Sequence, residues 1–547
     1  MKIFKKPFKS SVPGLIFFLI ILNGVFQCKG VVEEPVADEE EKDSLTHSYI
    51  EVANGSLKFP ADINGYKIPD FSYAGYRNSS HSLPSADIHY KTIVKLQMPS
   101  GDETDRIQNA IDKVSELAIN EFGYRGAVEL GKGIWNITQL LIDADGVVLK
   151  GAGRDETILQ STLSSSPQQV IRIGPSIPSS FPTNLWDDGG DGLRWSITTP
   201  IVNVGDMNFE VTEGHSIQVG DPIIIEHPCT EDWLSEIGNG APNPKQWPVN
   251  SVPIRYYRYV TAVNGNDITI DAPVMYSLVK AYAQCSVYKY SVTTRKFIGI
   301  EGLTIDADLS SNSFSENHPN ACIRAHRVEN CWFRDVRTQN FRGCGFTLIE
   351  SSRITVIDCE AIKPHSLITS SRRYNFQTRG SQLVLFKDCF ASYGRHSFVG
   401  AGHGMDSGNV FQNCIAENNY AATEDGHQRW VNGTLFDGCI FRLDGEPEEG
   451  GAFDFKMLWM GNHGINANGH GWSSCTGVAY KCAVATPGYA IIAKPPTGMN
   501  YEIDCKGDFR SDHFAHGDYP GAIDIVTSGH LPESLFDAQL AQRKSIN

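Results

Sequence analysis

The sequence predicts an all-β solenoid of stacked coils, and three observations support this fold class. Cysteines recur at intervals of 28, 30, 25 and 25 residues, each in a similar short motif. The 547 residues include 51 Gly and only 20% charged residues, which favours turn-rich β structure over a helical bundle. The hydrophobic fraction of 41% is sufficient for a large core. The recurring residues are Cys331, Cys359, Cys389, Cys414 and Cys439, and Cys482 continues the series after a longer gap.

Each of these cysteines lies in a short β-rich unit just after a turn residue, as in Val-Ile-Asp-Cys359-Glu and Phe-Gln-Asn-Cys414-Ile, and Gly302 occupies the same place one coil earlier. One small residue at a fixed place in every unit fits stacked coils whose like side chains pile on one another. Free cysteine serves there as a small hydrophobic residue. We therefore expect a ladder of buried thiols, with a disulfide between nearby coils as the alternative.

No metal-binding motif is evident, because paired ligands would show the close CxxC spacing that these cysteines lack. We expect no cofactor. Calcium stays open as an alternative, since scattered carboxylates can hold this ion without leaving a compact signature.

Residues 1–30 have the features of a secretory signal peptide. Four lysines precede an apolar run from Leu15 to Val25, and the small residue Gly30 lies near the expected cut. The run is short for a membrane span. We expect a secreted or periplasmic protein without a membrane partner. A lipid anchor at Cys28 is the alternative, although Gln27 is bulkier than the residue such an anchor requires.

The formal charge of −16 is unevenly distributed along the chain. Removal of residues 1–30 deletes five lysines and no acids, so −16 − 5 gives −21. Residues 31–60 then form an acidic flexible leader, with −6 between Val31 and Asp43. Such an acidic chain disfavours nucleic acid as a partner, because the phosphate backbone requires a basic face.

The body divides into four further predicted regions. Residues 61–195 contain an N-terminal cap and the first coils, and 196–280 form an antiparallel β insertion with a hairpin at Val263–Ile268. The main solenoid with the active site covers 281–510, and a tail with a short helix covers 511–547. The spacing of apolar residues predicts a capping helix over Thr104–Ile119 with Asp102 as N-cap, and a terminal helix over Leu531–Arg543 with Pro532 in its first turn.

The helix beginning Asp102-Glu-Thr-Asp-Arg-Ile, the strand Gly126-Ala-Val-Glu-Leu and the cysteine-marked coils together resemble the pectate-lyase-like right-handed parallel β-helix superfamily. The resemblance covers about residues 70–510. It implies a right-handed parallel β-helix with an N-terminal capping helix. Because this superfamily includes lyases, hydrolases and epimerases, the fold alone leaves the reaction open.

A narrower resemblance is carried by Gly394-Arg-His-Ser-Phe398, Asp425-Gly-His-Gln-Arg-Trp430, Gly469-His-Gly-Trp472 and Pro495-Pro496. These segments are similar to bacterial β-helix proteins associated with the breakdown of uronate-rich, often algal, polysaccharides. The resemblance implies a carbon-oxygen lyase, and the nearest activity is that of an ulvan-oligosaccharide dehydratase. The expected partner is an anionic carbohydrate.

Elimination from a uronate has defined chemical needs. A cation must neutralise the carboxylate, a base must take the C5 proton, and an acid must assist the C4 substituent. Loss of a sugar cuts the chain and loss of a hydroxyl releases water, and both give an unsaturated uronyl end. We expect Arg429 to neutralise the carboxylate and His427 or His396 to act as base. Tyr420, Tyr374 or a water would serve the leaving group.

Offsets from the cysteines place the candidates in two rows. His365, His396 and Tyr420 lie six or seven residues after a cysteine of the series. Arg372, Arg373, His403 and His427 lie 13 or 14 residues after one, with Arg429 two residues beyond His427. Residues 351–430 also carry +1, in contrast to −15 for the body, so an anionic substrate would be accepted there. The predicted substrate-binding residues are Arg372, Arg373, Tyr374, Arg395, His403, Tyr420, Lys456, His470 and Trp472.

Several of these residues also have a purely structural explanation. His396 could merely close a turn, His403 could be a loop residue, and an Arg pair is commonly a solvated surface. Two other functions also stay open. A glycoside hydrolase would use carboxylates such as Asp406, Glu424 and Asp425, whereas a non-catalytic glycan-binding protein would rely on exposed aromatic rows.

Overall fold

A computed structural model describes residues 48–546 except 54–55, 165–168, 177–184, 188–191, 466–468, 511–518, 521 and 525–529. These residues belong to one compact unit, Thr46–Asn547. The predicted signal peptide, the anchor position Cys28 and most of the acidic leader lie outside the described residues. No helix within the described ranges is long and apolar enough to span a membrane.

Two large parallel sheets form the solenoid, and coils in the main part contribute two short strands to the first sheet and one strand to the second. Coil Thr355–Arg379, for example, pairs in register with the coil that follows it: Val356 with Phe386, and Phe376 with Phe398. The predicted parallel β-helix is thus confirmed, and parallel crossovers of this kind are right-handed as a rule. The strands of the first sheet are Thr92–Leu96, Gly126–Leu130, Gly133–Ile137, Val147–Lys150, Thr157–Ser161, Gly299–Asp306, Trp332–Gln339, Thr355–Ile357, Glu360–Ile362, Leu385–Lys387, Phe390–Ser392, Val410–Gln412, Ile415–Glu417, Leu435–Asp437, Ile440–Arg442, Val478–Tyr480, Ala483–Val484, Tyr501–Ile503 and Ala522–Asp524.

The second sheet carries one strand per coil and positions the site described below. Its phenylalanines stack inside the core, with ring centroids 4.9 Å apart for Phe346 and Phe376 and 5.3 Å for Phe376 and Phe398. This sheet comprises Leu140–Ile142, Gln169–Ile173, Ala321–His326, Cys344–Ile349, Tyr374–Arg379, His396–Gly400, Thr423–Gly426, Lys456–Met460, Tyr489–Lys494, Asp508–Arg510 and the antiparallel Tyr519–Pro520. Separate two-stranded pairs are Glu51–Ala53 with Ser56–Lys58, Arg295–Lys296 with Val328–Glu329, and Val431–Asn432 with Ser474–Cys475.

The cysteine ladder is present and buried, but its members differ slightly from the prediction. Cys359 follows a turn residue with left-handed φ, as do its equivalents; the turn positions hold Asp358, Asp388, Asn413 and Gly438, residue types that tolerate this conformation. The ladder comprises Cys359, Cys389, Cys414, Cys439, Cys482 and Cys505, and all cysteines in the described part of the chain are free thiols.

Cys331 does not belong to this ladder, which corrects the sequence prediction. Arg337 pairs with Glu360 and Trp332 with Thr355, so Cys359 stacks on Val336 while Cys331 stacks on Ile354. The spacing of 28 residues arose by coincidence, because Cys331 precedes the first strand of its coil instead of following it. Gly302 is a turn residue with φ of 61°, and Leu303 takes the ladder position in that coil.

The capping helix runs over Thr104–Ser115 and ends four residues before the predicted end. Ile107, Ala110, Ile111 and Val114 are buried against the first coils, which covers the open end of the stack. Leu117 and Ala118 lie beyond this contact and do not extend the helix. Its N-cap is Glu103, while Asp102 Oδ1 accepts a hydrogen bond from Thr104 N at 2.9 Å.

The insertion is antiparallel, as predicted. Ile254–Asn264 and Asp267–Ile270 form the expected hairpin, with Asn264 opposite Asp267. The short helix Glu231–Glu236 packs Trp233 into the same core, which also contains Trp430 of the solenoid. The strands of this region are Trp195–Ser196, Ile201–Val202, Asn208–Glu210, Pro222–His227, Ile254–Asn264, Asp267–Ile270, Leu278–Val279 and Ser286–Lys289.

The C-terminal helix covers Leu535–Ile546 and begins four residues later than predicted, after Pro532. Asp437 explains the start, because its carboxylate accepts hydrogen bonds from Leu535 N at 3.2 Å and Phe536 N at 3.0 Å.

The same helix holds an N-terminal segment. Gln542 exchanges two hydrogen bonds with the backbone of Leu57, at 2.8 and 3.0 Å. Gln539 Oε1 accepts from Phe71 N at 2.9 Å. The two regions of chain are thereby tied side by side on the solenoid. A single turn of 3-10 helix, Tyr76–Ser79, follows the held segment.

Candidate active site

A cleft of about 370 Å³ opens on the outer face of the second sheet. Inward-facing Phe376 anchors strand Tyr374–Arg379 in the core, which leaves Gln377 and Arg379 on the outer face. Successive coils add residues at matching positions, since Cys344, Tyr374 and His396 are register partners. The cleft is lined by Asn320, Arg342, Cys344, Ser371, Arg372, Tyr374, Gln377, Arg379, Ala401, His427 and Gln428.

Four aromatic and imidazole rings from different coils meet beside this cleft. The Tyr374 hydroxyl lies 3.4 Å from Nε2 of His427. The His427 ring is centred 4.8 Å from that of His396 and 4.7 Å from that of His470. The structure therefore brings together three predicted histidines and the predicted tyrosine, the groups that proton transfer requires.

His396 lies buried beneath the other rings of this cluster. Only 2% of its surface is exposed, and its Nδ1 lies 2.7 Å from the carbonyl of Ala422. Because a carbonyl only accepts, Nδ1 carries the proton and donates it. The His396 ring, centred 5.2 Å from the Tyr374 ring, holds the tyrosine and His427 in place.

Gln428 links His470 to a further predicted histidine, His403. His403 Nε2 donates to Gln428 Oε1 at 2.8 Å, and Gln428 Nε2 donates to His470 Nε2 at 2.8 Å. Burial lowers the pKa of His403 to about 4, although the bond to Gln428 opposes the shift. Both imidazoles are consequently neutral in this arrangement, and they support Gln428 at the cleft wall.

Three arginines give the cleft its positive charge. Glu316 lies beside Arg342 and Arg372 and accepts from their Nε atoms at 2.6 and 2.7 Å. Burial raises the pKa of Glu316, but hydrogen bonds from Arg372, Leu367 N and Arg342 outweigh it and lower the pKa to about 2. Burial also lowers the pKa of Arg379, since its charged form is poorly solvated.

Arg429 is not among the residues that line the cleft. Its guanidinium carbon lies 5.7 Å from the ring centroid of Trp247, which belongs to the insertion, and burial lowers its pKa. Strand Thr423–Gly426 ends before His427, so His427 and Arg429 do not share a strand face as expected.

Arg373 and Tyr420 also lie away from the cleft. Arg373 is fully buried, donating to Glu448 at 2.6 Å and to the carbonyl of Ser366. The Tyr420 hydroxyl accepts from Glu448 N at 2.8 Å. Both residues therefore hold the loops around the site together.

The other three predicted binding residues lie in different surroundings. Arg395 lies over the Tyr374 ring and donates to its hydroxyl at 3.2 Å. Lys456 Nζ is 3.9 Å from the Trp459 ring centroid. Trp472 is buried in the core shared with the insertion and is not among the residues that line the cleft.

The first predicted row is wrong, since His365 bonds Asp308 at 3.1 Å instead of lying beside His396, and Tyr420 N bonds the Gly394 carbonyl. In the second row, Arg395 N bonds the Arg373 carbonyl, so Arg373 neighbours Arg395 instead of His403. His403 N bonds the Gln428 carbonyl, so His403 does lie next to the segment that carries His427. The reason for the mismatches is loop length: residues 363–373, eleven in all, precede strand Tyr374–Arg379, whereas only 393–395 precede His396–Gly400. Counting from the cysteines cannot follow such a change.

Several lining residues were missed by sequence reasoning, namely Asn320, Arg342, Cys344, Gln377, Arg379 and Gln428. A signal existed for Arg379, because the Phe376 side chain must face the core in the run Tyr-Asn-Phe-Gln-Thr-Arg and Arg379 is the charged residue at its end. Arg342 and Asn320 carried no comparable pattern, since they lie in loops.

The described part of this site holds few carboxylates. Asp406 is buried, accepts from Ser381 N at 2.8 Å, and has its pKa raised by burial. The side chains of Glu424 and Asp425 lie outside the described part of the structure. Among the residues whose side chains are described, none of the cleft lining is Asp or Glu, and no group of three or more His, Cys, Asp or Glu could hold a metal ion.

Comparison with known proteins returned only structural similarity. No family model matches the chain. No curated protein matches it either. Among solved structures, Geobacillus virus E2 ORF18 is similar, with a TM-score of 0.40 and 13% identity over 76% of this chain. The match spans 58% of that viral protein.

Two similar structures are matched over 99% of their own length. One is a polygalacturonase from Erwinia carotovora ssp. carotovora, with a TM-score of 0.36 and 11% identity over 81% of this chain. The other is an alginate lyase from Paenibacillus sp. str. FPU-7, with a TM-score of 0.39 and 7% identity over 79% of this chain. The fold assignment above relies on the strand registers of the chain itself.

Proposed function

We propose that this protein is a carbon-oxygen lyase that performs β-elimination on uronate residues of an anionic oligo- or polysaccharide. The observation that carries the proposal is the contact of 3.4 Å between Tyr374 Oη and His427 Nε2 in an arginine-lined cleft. A proton acceptor, a proton donor and cations are the groups that this reaction requires.

Arg379 is the residue best placed to neutralise the substrate carboxylate. It lines the cleft, whereas Arg429, which we expected in this role, lies against the insertion. The lowered pKa of Arg379 means that its buried charge lacks full solvation. A bound carboxylate would relieve that deficit and acidify the C5 proton of the uronate.

His427 serves as the base and Tyr374 assists the leaving group in this proposal. Removal of the C5 proton by Nε2 of His427 expels the C4 oxygen, which takes a proton from the Tyr374 hydroxyl. Arg395 donates to that hydroxyl at 3.2 Å and would stabilise the phenolate that results. His396, buried beneath both rings, is a positioning residue.

We propose an algal, ulvan-like polysaccharide as the substrate source, in line with the sequence segments around His396 and His427. The reaction would either cut the chain or remove water from a terminal uronate. A cleft of about 370 Å³ lies at the small end of ligand sites. This volume favours a short oligosaccharide or a chain end over a long stretch of polymer.

The cleft composition disfavours the hydrolase alternative. Hydrolysis of a glycoside generally requires two carboxyl groups flanking the bond. The described lining supplies arginines, a tyrosine and a histidine instead. A purely binding role would not require the close contact between the Tyr374 hydroxyl and the His427 imidazole.

Incubation with ulvan oligosaccharides, followed by ultraviolet absorbance and mass spectrometry, tests the proposal. Elimination produces the absorbance of an unsaturated uronyl group. Shorter products would identify chain cleavage, and an intact chain lighter by one water molecule would identify the dehydratase. Saturated products would show hydrolysis, and binding without any mass change would show a non-catalytic protein; either result contradicts the proposal.

A further inference from the structure

Two arginines of the cleft are joined by one carboxylate. Glu316 Oε2 accepts from Arg342 Nε at 2.6 Å, and Glu316 Oε1 accepts from Arg372 Nε at 2.7 Å. The three side chains are 20–27% exposed, so the group is partly shielded from water without being closed off. Leu367 N donates to the same carboxylate at 3.0 Å, which fixes it to the loop before Tyr374.

The atoms used in these bonds determine what remains for a ligand. A guanidinium has five donors in a planar fork, and Glu316 engages only the Nε position of Arg372. The Nη1 and Nη2 atoms of Arg372 have no hydrogen-bond partner among the described residues. Arg342 Nη1 meanwhile donates to Asn320 at 3.2 Å, and all three residues line the cleft with their side chains held in place.

Formal charges show what ligand this arrangement suits. Arg342 and Arg372 carry two positive charges and Glu316 carries one negative charge, so 2 − 1 leaves +1 on this linked group. In the proposed reaction the uronate carboxylate binds Arg379. The charge of the linked group would then serve a second anionic group of the ligand.

We propose that Arg342 and Arg372, joined by Glu316, form a second anion subsite that binds a second negatively charged oxygen group of the same saccharide. This inference rests on the proposed function, in which Arg379 binds the reacting carboxylate. The second group would be a sulfate ester or another carboxylate, both of which match the planar fork of arginine. The subsite would make the enzyme selective for doubly charged oligosaccharides.

Binding measurements with matched disaccharides test this subsite. The protein carries His427→Ala to prevent turnover, and calorimetry compares unsulfated chondroitin disaccharide, the same disaccharide with one sulfate ester, and digalacturonate. The first probe has one anionic group, and the other two probes have two. Tighter binding of the sulfated disaccharide alone identifies a sulfate ester, and tighter binding of both identifies any oxyanion.

Arg372→Gln is the informative variant in this background. We expect it to weaken binding of the preferred doubly charged probe about tenfold to a hundredfold, and of the singly charged probe less than about twofold. Arg342→Gln should act in the same direction. Arg442→Gln is the matched control, because Arg442 also pairs through Nε with a glutamate, Glu417 at 2.8 Å, but lies on the first sheet. It should change neither affinity.

The outcomes separate this subsite from the proposed function. If Arg372→Gln weakens the binding of singly and doubly charged probes equally, the proposed subsite is overturned and the proposed elimination chemistry is unaffected. Selective loss of affinity in Arg372→Gln, together with no unsaturated product from the protein with His427 intact, would contradict the proposed reaction while supporting the subsite. Circular dichroism of each variant establishes that the fold is retained, and if Arg372→Gln unfolds, Arg342→Gln decides.

Discussion

Tyr374 and His427 are separated by 53 residues of chain, yet the tyrosine hydroxyl lies 3.4 Å from the imidazole Nε2. Strand His396–Gly400 lies between their two coils, and the stacking of coils closes the distance. The relationship predicts that both groups act in one reaction.

His427→Ala should abolish formation of unsaturated product, with a loss of about a hundredfold to ten-thousandfold in kcat, because no other group would accept the C5 proton. Ultraviolet absorbance during turnover provides the measurement. His215→Gln is the control, since this histidine lies in the insertion and bonds only the Gly265 carbonyl among the contacts described. A fully active His427→Ala protein would refute the assignment.

Tyr374→Phe removes the hydroxyl and keeps the ring that packs on His396. We expect kcat to fall while KM changes little, because the hydroxyl acts mainly as the leaving group departs. A substrate with a better leaving group at C4 should recover part of the rate. Loss of affinity with an unchanged kcat would show that Tyr374 only binds substrate.

Replacement of two arginines distinguishes the site in the structure from the one expected from sequence. Arg379→Gln should reduce kcat/KM strongly, about a hundredfold or more, because a charge-assisted contact to the carboxylate is lost. Arg429→Gln should have a much smaller effect. The reverse order of the two effects would restore Arg429 to the role that we have transferred to Arg379.

Acid should destabilise the fold through His227. This residue is 1% exposed in the core of the insertion, and burial lowers its pKa to about 4. A histidine whose folded pKa lies below the ordinary 6.5 contributes stability that is present above pH 6.5 and is lost as the pH falls towards 4. The loss can reach about 3 kcal/mol for a shift of this size.

Chemical denaturation at several pH values checks this effect. His227→Phe should flatten the decline in unfolding free energy between pH 6.5 and 4 relative to the unaltered protein. Parallel pH profiles for the two proteins would show that His227 is not the source.

The stability of the fold should fall when a polar side chain replaces a buried cysteine of the ladder. Cys414 is fully buried between Cys389 and Cys439, so Cys414→Ser places a hydroxyl in the core and should cost about 1–3 kcal/mol. Cys505→Ser, at the partly exposed end of the ladder, should cost less. Urea unfolding midpoints give the comparison, and equal costs would contradict a packing role.

The repeat made the fold predictable, and the loops limited the prediction of the site. Cysteines at near-constant spacing recorded the stacking of coils, because one buried position per coil restricts residue type. Cys331 matched that spacing from a different position, which sequence alone could not distinguish. His396 and His427 were selected as candidates by their offsets from the ladder cysteines.

Arg379 and Arg342 were missed for different physical reasons. The outward direction of Arg379 depends on Phe376 facing inward, which becomes clear only once the strand is in register. Arg342 reaches the cleft from a loop and is positioned by Glu316, a residue 26 positions earlier in the chain. A contact of this kind produces no periodic pattern in the sequence.

The hydrogen bonds between Gln542 and Leu57 join parts of the chain that are 485 residues apart. During synthesis the early segment is therefore available long before the helix that holds it exists. Coils can stack as they emerge, but this attachment must await synthesis of the helix Leu535–Ile546. A protein shortened by its terminal helix should consequently keep its coils and expose the segment around Leu57 to proteases.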